Sequence, residues 1–245
     1  MTATERAPRE PLPLPRSIEP DARRSVALLV GIAAIVAFVA LRLVVASGGH
    51  RPLPIDVWWR DLMLASVNDP LIALAWIPGI VGGTLGMIIV GLVIILLFLW
   101  RRRPWDAVTL AAAMVAVVAI GAPMAAIIAR ARPESSLAES VATSFPSGHT
   151  AVATTAAVVL GLLLRHGYVW ALGSLWVILM MWSRTYLRAH WLSDVIAGML
   201  EGVVVATLVW CVVEAVRDRR AARSTDLTTT DPLTTDTPTE RPTGA

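Results

Sequence analysis

Lysine is absent from this chain, cysteine occurs once, and charged residues of both signs make up only 16% of it. Each shortage excludes something. With Cys211 alone inside an apolar run, neither an intrachain disulfide nor a thiolate metal site can form. All 21 basic residues are arginine, which together with heavy use of Ala and Val reads as the coding bias of a GC-rich genome. No Asp/Glu/His grouping has the spacing of an open metal site, so a metal-dependent reaction is disfavoured and no cofactor is expected. Too few charges remain to clothe a soluble domain: 56% of the 245 residues are hydrophobic and the mean hydropathy is +0.67. The class is integral membrane, all-α.

What is present is a series of apolar runs. Val26–Ala46 is 21 residues long, and at about 1.5 Å per residue it matches a hydrocarbon core of about 30 Å. The polar lead before it argues against a cleaved signal. Leu71–Leu99 is longer than a straight span requires and carries Pro78, Gly79, Gly82 and Gly83, so tilt or a kink is expected. Trp105–Ala129, Thr150–Leu164 (with the preceding Ser147-Gly148-His149 turn), Tyr168–Trp182 and Val195–Val213 complete a six-transmembrane-helix bundle. Between the first two spans, Ile55–Ser66 sets Trp58, Trp59, Leu62 and Met63 beside Asp56, Arg60 and Asp61, the pattern of a helix lying in the interface. Anchoring is its simplest role, and substrate gating is the alternative.

The expected organisation is a disordered cytoplasmic tail over residues 1–24, a transmembrane domain over 25–216 and a second disordered cytoplasmic tail over 217–245. Arginines orient it. With the N-terminus inside, fourteen lie in cytoplasmic segments and six in outer ones. They cluster at the ends of apolar runs rather than on a polar face, which excludes nucleic acid as the partner. Four of the six outer arginines, Arg130, Arg132, Arg184 and Arg188, fall in or beside three short strings that this topology brings to one membrane face.

Those strings carry the chemistry. His190 and Asp194 are four apart, so if the sixth helix begins near His190 the carboxylate can accept the imidazole Nδ1–H and leave Nε2 free to attack. Taken alone, the pair fits an interfacial histidine with a structural neighbour equally well. A histidine so held is a competent nucleophile toward phosphorus, through a phosphohistidine. Arg132 and Arg184 can grip phosphate oxygens bidentately and stabilise the charge of a five-coordinate transition state. Pro146-Ser147-Gly148-His149 reads as a turn into a helix. There Ser147 can cap, Gly148 lets backbone N–H groups approach an anion, and His149 stands ready to protonate a leaving oxygen and then activate water.

Arg132-Pro133, Pro146-Ser147-Gly148-His149 and Ser183-Arg184-x5-His190-x3-Asp194 together resemble the type 2 phosphatidic acid phosphatase family over about Ile55–Trp210. That resemblance implies His190 as nucleophile, Asp194 as its orienter, His149 as acid/base, and Arg132, Ser147, Gly148 and Arg184 as phosphate ligands. The family pattern has a lysine seven residues before Arg132, and here that residue is Ala125. Arg130 is a candidate replacement if its side chain bends toward the pocket, although on a regular helix a two-residue offset from Arg132 points it elsewhere. Tyr186 and Arg188 lie inside the third string and are further candidates to meet a headgroup. His50 and His166 fit no string and are assigned to solvent or headgroup contact.

The implied reaction is metal-independent hydrolysis of a lipid phosphate or diphosphate, polyprenyl or phosphatidate-like, at the outer face of a bacterial cytoplasmic membrane. Its partners are the lipid substrate and the bilayer. Two alternatives stand beside it: a phosphotransferase that passes the group to an alcohol, and a catalytically weak protein that binds or transports lipid phosphates. The oligomeric state is not legible.

Overall fold

The computed structural model describes residues 18–138 and 142–229, and all regular structure in them is helical. Eight helices follow in order: α1 (Ile18–Ser47), α2 (Pro54–Ala65), α3 (Asp69–Val81), α4 (Thr84–Trp100), α5 (Pro104–Ile128), α6 (Gly148–Leu164), α7 (Gly167–Tyr186) and α8 (Leu192–Thr229). Leu85, Val115 and Ile127 are 70–77% exposed, and Leu and Val side chains line the outside of the bundle. Such a surface is costly in water and suits lipid.

Three helices, α1, α5 and α8, are long and apolar enough to cross a membrane, or up to four spans if α3 and α4 count as one broken span. At 17 residues α6 is a shorter apolar helix, and α7 is outside that count. The run expected to kink is divided outright: α3 and α4 meet at 51° across Gly82 and Gly83. Pro78 lacks an amide N–H and the two glycines lack side chains to stabilise continued helix, so the break falls where they concentrate. Both segments expected to be tails overlap a helix. Helix α1 begins at Ile18 and α8 continues to Thr229, and only the outer parts of both tails lie outside the described residues.

The centre of the bundle is α8, which packs on α6, α1 and α5, while α7 closes against α6 and α3. Small residues bring α8 and α6 together. Gly198 and Gly202, four apart, face α6 so closely that a Cβ on Gly202 would stand 2.6 Å from the Ala151 carbonyl oxygen, and one on Gly198 would collide with that of Ser147. Without a hydrophobic drive between helices in lipid, such close backbone approach is what holds them. It also presses the start of α6 against the start of α8, where two of the three strings lie.

Candidate active site

At one end of the bundle the three strings converge. Helix α5 stops at Ala129, whose left-handed φ of 47° turns the chain into an extended segment. Ala131 there forms an antiparallel bridge with Thr143, and Ser144 N–H donates to the Arg130 carbonyl at 2.8 Å. This clip lays Arg132-Pro133 beside the approach to α6. Ser147 N–H in turn donates to the Asp194 carbonyl at 3.0 Å, joining the second string to the third.

The buried imidazole of His190 has both nitrogens engaged. Nδ1 lies 2.7 Å from the Ser144 carbonyl oxygen, which can only accept, so Nδ1 carries the proton. Nε2 is then a lone-pair acceptor and meets Arg132 Nη1 at 3.3 Å. The same Nη1 donates to the Ala189 carbonyl. Burial first, and the charges of Arg132 and Arg184 second, hold the His190 pKa well below the ordinary imidazole value.

Asp194 does not do what the four-residue spacing suggested. Helix α8 begins at Leu192, after His190, so the two side chains do not share a helical face. Asp194 Oδ2 is 3.9 Å from His190 Nδ1 and instead accepts from Trp191 N–H at 2.9 Å, while Oδ1 accepts from Arg130 Nη1 at 2.5 Å. The Ser144 carbonyl takes the orienting role.

Ser147 occupies the residue before α6, yet its hydroxyl does not cap the helix. Its fully buried Oγ accepts from Thr150 Oγ1 at 3.1 Å. Gly148 is exposed, and a Cβ there would meet nothing within 4 Å, so its backbone borders open space. Next to it, half-buried His149 is within electrostatic reach of Arg132 and Arg184. It also borders the α3–α4 break, 3.8 Å from where a Gly83 Cβ would stand. Arg184, buried on the last turn of α7, runs against Gly79 of α3; a Cβ there would be 3.3 Å from Nη1. The Arg184 carbonyl accepts from both Ala189 and His190 N–H groups. The Pro78–Gly83 stretch thus wraps the arginine and histidine side of the site.

Arg130 does not replace the missing lysine. It is fully buried, and each of its five N–H donors is used. Nε donates to the His50 carbonyl, Nη1 to Ser193 Oγ and Asp194 Oδ1, and Nη2 to the Arg51 carbonyl and Asp56 Oδ2. Ala125 sits half-buried on the last turn of α5. Tyr186 is also buried and donates to the Ser66 carbonyl at 2.8 Å, so it is not a headgroup contact. Arg188 borders a shallow recess with Trp59, Arg60, Pro133, His190 and Trp191.

The residues that sequence reasoning missed are Asp56, Ser144 and Ser193. Asp56 was legible only as a carboxylate on the anchoring helix; buried, it accepts from Ser193 N–H and Oγ, both at 2.8 Å. Helix α2 therefore turns a carboxylate inward while Trp58 and Leu62 stay exposed. A peptide carbonyl such as that of Ser144 leaves no compositional trace.

Residues 106–218 match the family model of the PAP2 superfamily. A curated undecaprenyl-diphosphatase of Sulfolobus acidocaldarius is 35% identical over 114 residues, which cover 44% of this chain and 55% of that protein. The chain thus spans about half the length of that relative. The crystal structure of a transmembrane PAP2-type phosphatidylglycerolphosphate phosphatase from Bacillus subtilis superposes with a TM-score of 0.66 at 19% identity, covering 76% of this chain and 96% of the other. That of Aquifex aeolicus LpxE gives 0.55 at 22%, covering 64% and 96%. These two likenesses speak to the fold.

Proposed function

From a chain that belongs to the PAP2 superfamily through residues 106–218, we propose a lipid phosphate phosphatase that works through a phosphohistidine on His190. The observation that carries this reading is the tautomer of His190, with Nδ1–H on the Ser144 carbonyl and the Nε2 lone pair turned to Arg132. Nucleophile and anion-binding group meet at one point, where an incoming phosphoryl group takes over the guanidinium.

In the first step a P–N bond forms at Nε2 as the bond from phosphorus to the leaving oxygen breaks, and His149 supplies the proton that oxygen needs. In the second, His149 takes a proton from water, whose oxygen attacks phosphorus and breaks the P–N bond. Arg132, Arg184, Ser147 and the exposed backbone at Gly148 hold the phosphate oxygens. Asp194 secures the loop from behind.

The substrate is a lipid phosphate or diphosphate whose tail stays in the bilayer. The likeness to an undecaprenyl-diphosphatase favours a polyprenyl diphosphate, with a phosphatidate-like lipid as the second candidate. Six spans, made by α1, the broken α3–α4 pair, α5, α6, α7 and α8, with cytoplasmic termini, turn the site outward in this reading, which the arginine distribution supports. The test is phosphate release by purified protein in EDTA from undecaprenyl diphosphate and phosphatidate. Wild type is expected to release phosphate and His190→Ala to release none. Equal release by both would remove His190 from the mechanism.

A further inference from the structure

One group of buried charges touches no reacting atom in the reaction just outlined. Arg130 lies between two carboxylates, Asp56 at 2.8 Å and Asp194 at 2.5 Å, and all three side chains are inaccessible to solvent. Every donor on Arg130 is spent within the protein, so it has none for a phosphate. Asp56 comes from α2, the helix whose opposite face carries exposed Ile55, Trp58 and Leu62.

We propose that Arg130 and Asp56 are a positioning pair that fixes the segment bearing His190, making α2 a working part of the site rather than an anchor alone. The geometry gives each a defined task. Asp56 reaches across to α8 and accepts from Ser193 N–H, a backbone donor in the first turn that no helical carbonyl can satisfy. Arg130 holds Asp194, which in turn accepts from Trp191 N–H, one residue after the nucleophile. His190 thus sits between a fixed carbonyl, that of Ser144, and a fixed backbone, residues 191–194. Arg130 also binds the carbonyls of His50 and Arg51, so the link from α1 to α2 is tied to the same point. A shift of α2 in the interface would therefore be felt at His190.

This inference rests on His190 as the nucleophile, and its test separates the two ideas. Arg130→Lys, Asp56→Asn, Arg132→Ala and His190→Ala are compared by lipid phosphate release and by binding of orthovanadate, a phosphate mimic that also counts folded sites. Misplacing a nucleophile by about 1 Å costs about 100-fold. Arg130→Lys and Asp56→Asn are therefore expected to lower kcat per vanadate-binding site by about that factor, with vanadate affinity within about twofold of wild type. Arg132→Ala is expected to weaken vanadate by about tenfold or more, through a lost charge-assisted hydrogen bond. If Arg130→Lys does not fold, Asp56→Asn, which keeps the side-chain shape, carries the test. Wild-type kcat per vanadate site in the variant that folds overturns the proposal, as does vanadate affinity falling in Arg130→Lys as far as in Arg132→Ala. Full activity in His190→Ala would instead overturn the underlying reading.

Discussion

The chemistry of His190 depends on which of its nitrogens holds the proton, and a peptide carbonyl decides that. Because burial and two arginines keep the folded-state pKa well below its ordinary value of about 6.5, the ring stays neutral on mild acidification. The unfolded chain, by contrast, takes up a proton as pH falls through about 6.5, so it binds more protons than the folded protein below that pH. His190 should therefore cost stability as pH falls from about 6.5 toward its lower folded value. His190→Asn should flatten that dependence, as read by thermal unfolding in detergent between about pH 7 and pH 5. A wild type and variant that lose stability in parallel would show that His190 is protonated in the fold. Arg130 poses the converse case, since removing one member of a buried ion-pair group costs about 3–5 kcal/mol by leaving a charge unpaired. Much of this residue-level layout was legible from spacing, which named seven residues that the fold gathers at one end. The hydrogen bonds among them were not. The four-residue step from His190 to Asp194 assumed a helix that starts two residues later, and an arginine two positions from a proposed phosphate ligand turned to carboxylates instead.

At the level of elements, two backbone features shape the site. The break between α3 and α4 was foreshadowed by its proline and glycines, but its use, to seat Arg184 and border His149, depends on packing with α7 and α6. The contact between α6 and α8 was not anticipated at all, because two glycines four apart in an apolar run resemble many others until a partner helix is known. Gly198→Ala puts a methyl group into the Ser147 carbonyl and tests it. Forced overpacking of this kind costs about 1–3 kcal/mol. It should lower the unfolding temperature and also the rate, since the Ser147 turn is displaced from Asp194. An unchanged unfolding temperature would mean that the two helices separate without strain. Helix α2 shows why amphipathic pattern alone misleads: the exposed tryptophan and leucine read as an anchor, and the single inward carboxylate that joins it to α8 was counted among its polar residues.

For the molecule as a whole, composition alone identified the membrane, because a bundle with apolar side chains on its outside is soluble only in lipid. The ends were harder. Pro-, Thr- and Asp-rich stretches offer no apolar face, yet α1 and α8 extend past the hydrophobic runs into them, as helices once nucleated propagate at little cost. The resulting architecture sets every proposed phosphate ligand at one end of the bundle. The account stands or falls on a covalent intermediate there. The decisive measurement is rapid quenching of the purified protein, in EDTA, with polyprenyl diphosphate labelled in its terminal phosphate, followed by mapping of the protein-bound label. The account predicts label on His190, stable in alkali and lost in acid, and none on His190→Ala. Turnover with no label on wild type, or equal label on His190→Ala, would contradict it.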